Sequence, residues 1–127
     1  MEMQSKEKNF SVVKRMKSFT HAGRGIWLLI KTTHNAWIHS GIFLIAIAGG
    51  FYFHISHTDW ILLLLAAGFV FSAEAFNTAV EIDIDLTSPQ YHPFARDTKD
   101  VAARAVLISA IAAFIVGVLI FLPHLVN

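Results

Sequence analysis

The sequence predicts an all-α membrane protein, in which an N-terminal amphipathic surface helix precedes three transmembrane helices. Hydrophobic residues make up 55% of the 127 residues and charged residues only 15%, against about a quarter charged residues in soluble domains. Three apolar stretches, 36–55, 60–85 and 98–126, each reach the roughly 20 residues that a helix needs to cross a bilayer. A soluble helical bundle is disfavoured, because these stretches leave no polar faces to cover them.

The length and composition limit the chain to a single membrane domain, 1–127. The absence of cysteine excludes disulfides, thiolate nucleophiles and cysteine-ligated metal sites. A cleaved signal peptide does not fit, because the first apolar stretch begins too far into the chain and two more follow it.

The positive charge is concentrated at the N-terminal end. Seven of the ten Lys and Arg residues lie within 1–31, which on an apolar chain indicates contact with anionic lipid head groups. Nucleic acid is disfavoured as a partner, because a basic arm that binds it is normally attached to a soluble domain. The turn at 57–59 and the C-terminal tail have no Lys or Arg. The positive-inside rule therefore predicts that the N-terminus and the loop with Arg96 and Lys99 are cytoplasmic, with the C-terminus outside.

Residues 8–31 have the pattern of a helix that lies in the membrane interface. Apolar residues recur at steps of three and four, and basic residues fill much of the other side. The apolar residues are Val12, Val13, Met16, Phe19, Ile26, Trp27 and Ile30.

The second apolar stretch carries acidic residues. On a helix, Glu74, Asn77, Glu81 and Asp85 fall at about 0°, −60°, −20° and +20°, so that they form one polar stripe, with Asp83 on the opposite face. A deep carboxylate can take the proton of an alcohol within the membrane, and shallower ones can hold Mg²⁺ at nucleotide phosphates. From the pattern alone, two alternatives stay open. The acids can form ion pairs with basic residues of the next helix, or they can line a proton or ion pathway.

The loop before the third span carries further polar residues. Ser88-Pro89 and His92-Pro93 favour extended or turn backbone, and we expect the third span to begin near 98, with Asp97 or Thr98 as its N-cap. Lys99 then lies at head-group level, where it can bind phosphate. Binding to lipid phosphate alone is the alternative for this lysine.

The segments EAFNTAVEIDID and PQYHPFARDTKDVAARAVL resemble the signature of the small prokaryotic diacylglycerol kinase and undecaprenol kinase family. The family pattern is E-x-x-N-[ST]-A-[IV]-E-x-x-x-D, a loop of fixed length, and K-D at the start of the next helix. The resemblance extends over nearly the whole chain. It implies a homotrimer with active sites shared between neighbouring subunits, located in the inner (cytoplasmic) membrane of a prokaryote. It also implies ATP as phosphoryl donor, Mg²⁺ as cofactor and a membrane lipid alcohol as acceptor.

The resemblance also implies roles for individual residues. Glu74 corresponds to the catalytic base, Asn77 lies beside it at the substrate hydroxyl, and Glu81 corresponds to a Mg²⁺ ligand near the ATP phosphates. The positions that correspond to nucleotide-binding residues are Lys14, His21, Glu81, Tyr91, His92, Lys99 and Asp100.

The chain departs from the family pattern at three positions. Thr33 stands where a metal-binding glutamate is expected, Trp37 replaces a basic residue, and Arg104 replaces a small residue at what we expect to be a crowded helix junction. Because Glu74 and Glu81 are both present, we expect ATP- and Mg²⁺-dependent phosphorylation of undecaprenol or diacylglycerol. The YHPFAxxxKDVAA loop favours undecaprenol. Weaker Mg²⁺ binding, a substitute ligand such as His34, a catalytically impaired lipid-binding homologue and an ion-translocating protein remain alternatives.

Overall fold

The computed structural model describes residues 11–32 and 34–127, and within these ranges the chain is α-helical with no β-strand. The helices are α1 (Val12–Thr32), α2 (His34–Tyr52), α3 (His57–Thr87) and α4 (Pro93–Leu125). Helices α2, α3 and α4 are each long and apolar enough to cross a membrane. The predicted class, a surface helix followed by three spanning helices, is therefore confirmed.

Helix α1 keeps its apolar side uncovered. The helix begins after Ser11, whose hydroxyl accepts a hydrogen bond from the backbone N–H of Lys14 at 3.4 Å, as an N-cap does. Large apolar side chains such as Met16, Phe19 and Trp27 are exposed, although α1 contacts both α2 and α3. An exposed apolar side opposite a basic one is the arrangement of a helix that lies in a membrane interface.

The turn between α2 and α3 is short because both helix ends are capped locally. The N–H of Ile55 donates to the carbonyl of Gly50 at 3.1 Å, while His54 adopts a left-handed backbone with φ of 51°. This hydrogen bond and this φ are those of a Schellman motif, which ends α2. Ser56 then caps α3, since its hydroxyl accepts from the N–H of Asp59 at 3.1 Å.

The apolar core lies at this turn. Ile55, Leu63 and Ile120 are buried together, with aromatic residues including Trp60 packed around them. Gly50 is required for the close approach of α2, because a Cβ at this position would lie 2.6 Å from Cη2 of Trp60. The end of the bundle at residues 53–56 is therefore closed by packing, while the polar stripe of α3 lies toward the opposite end.

Helix α4 packs along α3 more extensively than any other pair of helices, and its start differs from the sequence prediction. The helix begins at Pro93 and not near 98, so Asp97 and Thr98 are not its N-cap. His92 is the N-cap, and its Nδ1 accepts from the N–H of Phe94 at 3.2 Å. The physical reason is that proline suits the first position of a helix, where its missing N–H has no partner to lose.

Replacing Gly50 by alanine tests the closed end. We expect Gly50→Ala to lower the free energy of unfolding by about 1–3 kcal/mol, because the added methyl group would collide with the ring of Trp60 in a packed core. Thermal unfolding of the purified protein in detergent measures the change. Gly68→Ala is the control, because nothing lies within 4 Å of its Cβ position, and helix propensity then favours alanine by up to about 1 kcal/mol. Equal unfolding temperatures for the two variants would contradict this packing.

Candidate active site

The centre of the candidate site is the carboxylate of Glu74. It lies on α3 about 20 Å along the helix from Thr87, at 1.5 Å per residue, and its side chain is 0% exposed. Neither carboxylate oxygen accepts a hydrogen bond from the described residues. A buried carboxylate without such partners costs several kcal/mol, which makes Glu74 a candidate functional residue.

His39 of α2 approaches this carboxylate. Its Nδ1 lies 2.8 Å from Oε1 of Glu74, and its side chain is 20% exposed. The distance is that of an ion pair or hydrogen bond, but the N–H direction is not aligned, so the contact is not a regular hydrogen bond. Sequence reasoning missed this pair, although an ionisable side chain within an apolar stretch was a signal for it.

Asn77 joins the buried and exposed parts of the polar stripe. It is 7% exposed, and its Nδ2 donates to Oε1 of Glu81 at 3.2 Å. Its Oδ1 is buried without a hydrogen-bond partner among the residues described, so it can accept a hydrogen bond from a ligand. Glu81 is exposed. The stripe thus changes from buried to exposed within two turns of α3.

Lys99 lies at the exposed end of the stripe. Its Nζ is 2.5 Å from Oδ1 of Asp85, so the ion pairing that the sequence left open as an alternative exists at this position. Both side chains are partly exposed, and such a pair contributes only about 0–1 kcal/mol. A phosphate can therefore compete with Asp85 for the ammonium group. Asp100 lies one residue further on, 3.9 Å from Nε of Arg96.

The other residues predicted to bind nucleotide are exposed but not assembled. Tyr91 and His92 lie in the loop between α3 and α4, next to the start of α4. Lys14 and His21 are exposed on α1, and within residues 11–32 and 34–127 no hydrogen bond or ion pair connects either side chain to the carboxylates of α3.

The chain supplies few ligands for a metal ion. Across the described ranges, no three His, Cys, Asp or Glu side chains come close enough together to hold a metal. Magnesium needs fewer protein ligands, because it is usually held by one or two carboxylates together with substrate phosphates and water. Glu81 offers one exposed carboxylate of this kind. Thr33, where the resemblance expects a further carboxylate, lies outside the described residues.

The remaining departures from the family pattern lie on the surface of the subunit. Arg104 is exposed and faces no crowded helix junction among the described residues of the single chain. The reason is the rotation of α4, which turns Val106 and Ser109 inward and leaves Arg104 on an outer face. Trp37 is also exposed.

Two apolar grooves reach the site. A groove of about 570 Å³ runs between α2, α3 and α4, with His39 in its lining and Phe121 toward its other end. A second groove, of about 540 Å³, lies between α3 and α4, with Asn77 and Asp97 in its lining. The grooves thus reach Asn77 and His39, the neighbours of the buried Glu74, and their apolar walls can accommodate hydrocarbon chains.

Comparison with known proteins identifies a family over most of the chain. The family described as prokaryotic diacylglycerol kinase matches residues 20–121. The undecaprenol kinase of Bacillus subtilis (strain 168) is 40% identical over 123 residues, which cover 97% of this chain and 100% of that protein.

Diacylglycerol kinases are also similar. That of Synechocystis sp. is 38% identical over 111 residues, which cover 87% of this chain and 63% of that protein. That of Helicobacter pylori (strain 26695) is 27% identical and covers 81% of this chain and 86% of its own length.

Removing the charge of Glu74 tests whether the buried carboxylate lowers stability. We expect Glu74→Gln to be at least as stable as the natural chain, because the amide has the same shape and no charge to desolvate. Thermal unfolding in detergent measures this. Asp83→Asn, which removes an exposed carboxylate of the same helix, is the control, and we expect a change within about 0.5 kcal/mol. A clear loss of stability in Glu74→Gln but not in Asp83→Asn would show that the charge of Glu74 stabilises the fold.

Proposed function

The chain belongs to the prokaryotic diacylglycerol kinase family, and on this premise we propose that it transfers the γ-phosphoryl group of ATP to the hydroxyl of a membrane lipid. Its similarity to an undecaprenol kinase extends over the full length of that protein, and the YHPFAxxxKDVAA segment at 91–103 favours the same acceptor. Undecaprenol is therefore the first candidate, and diacylglycerol is the second.

The observation that carries the proposal is the fully buried carboxylate of Glu74, which accepts no regular hydrogen bond from the described residues and lies beside apolar grooves. A lipid in either groove would lie against a neighbour of this carboxylate, Asn77 in one groove and His39 in the other. Both oxygens of Glu74 and Oδ1 of Asn77 lack hydrogen-bond donors from the described chain, so a hydroxyl can donate to one of them. Glu74 and Asn77 are three residues apart and therefore lie on the same side of α3.

The reaction follows from these positions. Glu74 takes the proton of the lipid hydroxyl as the oxygen attacks the γ-phosphorus of ATP, the new P–O bond forms, and the bond to the bridging oxygen breaks so that ADP leaves. Asn77 orients the hydroxyl through Oδ1. Catalysis then depends mainly on position and charge, which is typical of phosphoryl transfer.

The exposed end of the stripe suits the nucleotide. Glu81 would hold Mg²⁺, which when bound neutralises charge on the β- and γ-phosphates. Lys99 exchanges its contact with Asp85 for phosphate. The loop before α4 contributes Tyr91 and His92, and the first turns of α4 contribute Asp100. In the assembled protein, α1 completes the nucleotide site with Lys14 and His21.

Assembly and orientation belong to the same proposal. Large apolar side chains are exposed along all three spanning helices, which suits contact with lipid and with two further copies in a homotrimer. By the positive-inside rule, the basic residues of α1 together with Arg96 and Lys99 of α4 support a cytoplasmic N-terminus and nucleotide site, at the inner membrane.

The first experiment measures ATP consumption by the purified protein in mixed micelles with Mg²⁺, with undecaprenol or diacylglycerol added separately. We expect lipid-dependent turnover with the natural chain, and a loss of at least about 100-fold in Glu74→Gln, because the general base is removed. Asp83→Asn is the matched control and retains activity. Folded protein that turns over neither lipid would contradict the kinase assignment.

The metal site is tested by the Mg²⁺ dependence of the same reaction. We expect Glu81→Gln to raise the Mg²⁺ concentration for half-maximal activity by about tenfold or more, because a charged ligand is lost. Glutamine can still accept the hydrogen bond from Asn77, so the local structure is kept. A Mg²⁺ dependence unchanged from that of Asp83→Asn would exclude Glu81 as a ligand.

A further inference from the structure

We propose that His39 is a positioning residue for Glu74. The Nδ1–H of His39 donates to Oε1 of Glu74 and leaves Oε2 of Glu74 for the acceptor hydroxyl. The inference rests on the proposed function, in which Glu74 is the general base. It adds a residue from α2 to a site that the sequence assigned to α3, α4 and α1.

The first argument is geometric. Nδ1 of His39 lies 2.8 Å from Oε1 of Glu74, so the two heavy atoms are already at hydrogen-bond distance. The contact does not meet the geometry of a regular hydrogen bond, so the proposed bond requires the imidazole ring to reorient. Hydrogen bonds at active sites are often poorly aligned without substrate and tighten when substrate binds.

The second argument is electrostatic. Glu74 is 0% exposed, so water cannot solvate its charge. Lys99 pairs with Asp85 and Arg96 with Asp100, whereas His39 lies within ion-pair distance of Glu74. A hydrogen-bond donor at this distance offsets part of the cost of burying the carboxylate.

The third argument is the position of His39 in the fold. The same side chain contacts Glu74 and lines the groove between α2, α3 and α4. A lipid chain in this groove therefore contacts the residue that orients the base. His39 thereby couples the binding of lipid in the groove to the orientation of Glu74. The aspartate of a Ser-His-Asp triad orients the histidine base in a similar way.

The test compares two substitutions of His39 in the full-length protein, assayed in mixed micelles with ATP, Mg²⁺ and the preferred lipid. His39→Leu removes the donor, and we expect kcat to fall on the order of 100-fold with KM for ATP nearly unchanged. In His39→Asn the amide Nδ2 takes nearly the position of Nδ1, so we expect partial recovery of kcat. His57→Leu, at an exposed histidine, is the control and keeps full activity.

A second measurement does not depend on the folding of these variants. Nitrogen-15 NMR of histidine-labelled natural protein should show one histidine in the Nδ1–H tautomer, with a signal that shifts in Glu74→Gln. An Nε2–H tautomer at this histidine would overturn the proposal.

The outcomes separate the two proposals. A natural chain that phosphorylates neither lipid overturns the kinase assignment and with it the role of His39. An active natural chain with normal kcat in His39→Leu overturns the role of His39 alone. Equal losses of kcat in folded His39→Leu and His39→Asn would also contradict it, because the donor would then not matter.

Discussion

A carboxylate buried among apolar helices has a desolvation cost in free energy, which other interactions of the structure have to offset. Glu74 has no exposed surface, and a charge in such a place costs several kcal/mol unless donors reach it. The other polar groups nearby follow from this constraint. Asn77 lies one turn away on the same side, and His39 approaches from α2. The packed core at Ile55, Leu63 and Ile120 supplies stability at the opposite end of the bundle, where no chemistry is expected.

The polar stripe of α3 is graded in exposure, and this gradient suits two substrates of different character. Glu74 and Asn77 are buried, whereas Glu81 and Asp85 are exposed. In the proposed reaction a lipid alcohol would approach from the apolar grooves and a nucleotide from water, so that the stripe would bring the two together along one helix. The hydrogen bond from Asn77 to Glu81 connects the two regions, so the groups that would hold acceptor and metal are mechanically linked.

A single subunit leaves much of its apolar surface uncovered. Aromatic and aliphatic side chains are exposed on every helix, and α1 makes few contacts with the rest of the described chain. Lys14 and His21 consequently remain apart from the carboxylates that they are proposed to serve. Surfaces of this kind suit a bilayer and neighbouring subunits, and sharing of the site between copies would bring the separated nucleotide-binding residues together.

The sequence by itself determined the number and type of helices, because an apolar stretch of about 20 residues in lipid can satisfy its backbone only as a helix. It also predicted that Glu74 faces the interior of the helices, because a carboxylate exposed to hydrocarbon is costly, and this burial is confirmed. It misjudged the start of α4, because Pro93 was taken as a helix breaker although proline also suits the first helical position.

Only the tertiary structure decided that His39 meets Glu74 and that Lys99 pairs with Asp85. Helix α2 is apolar on nearly all sides, so periodicity does not fix its rotation about its own axis, and nothing local indicates which residue faces α3. That rotation is set by the close packing of Gly50 against Trp60 and by the short turn at residues 53–56. These contacts join residues of different helices, and for this reason they could not be derived from the pattern of either helix alone.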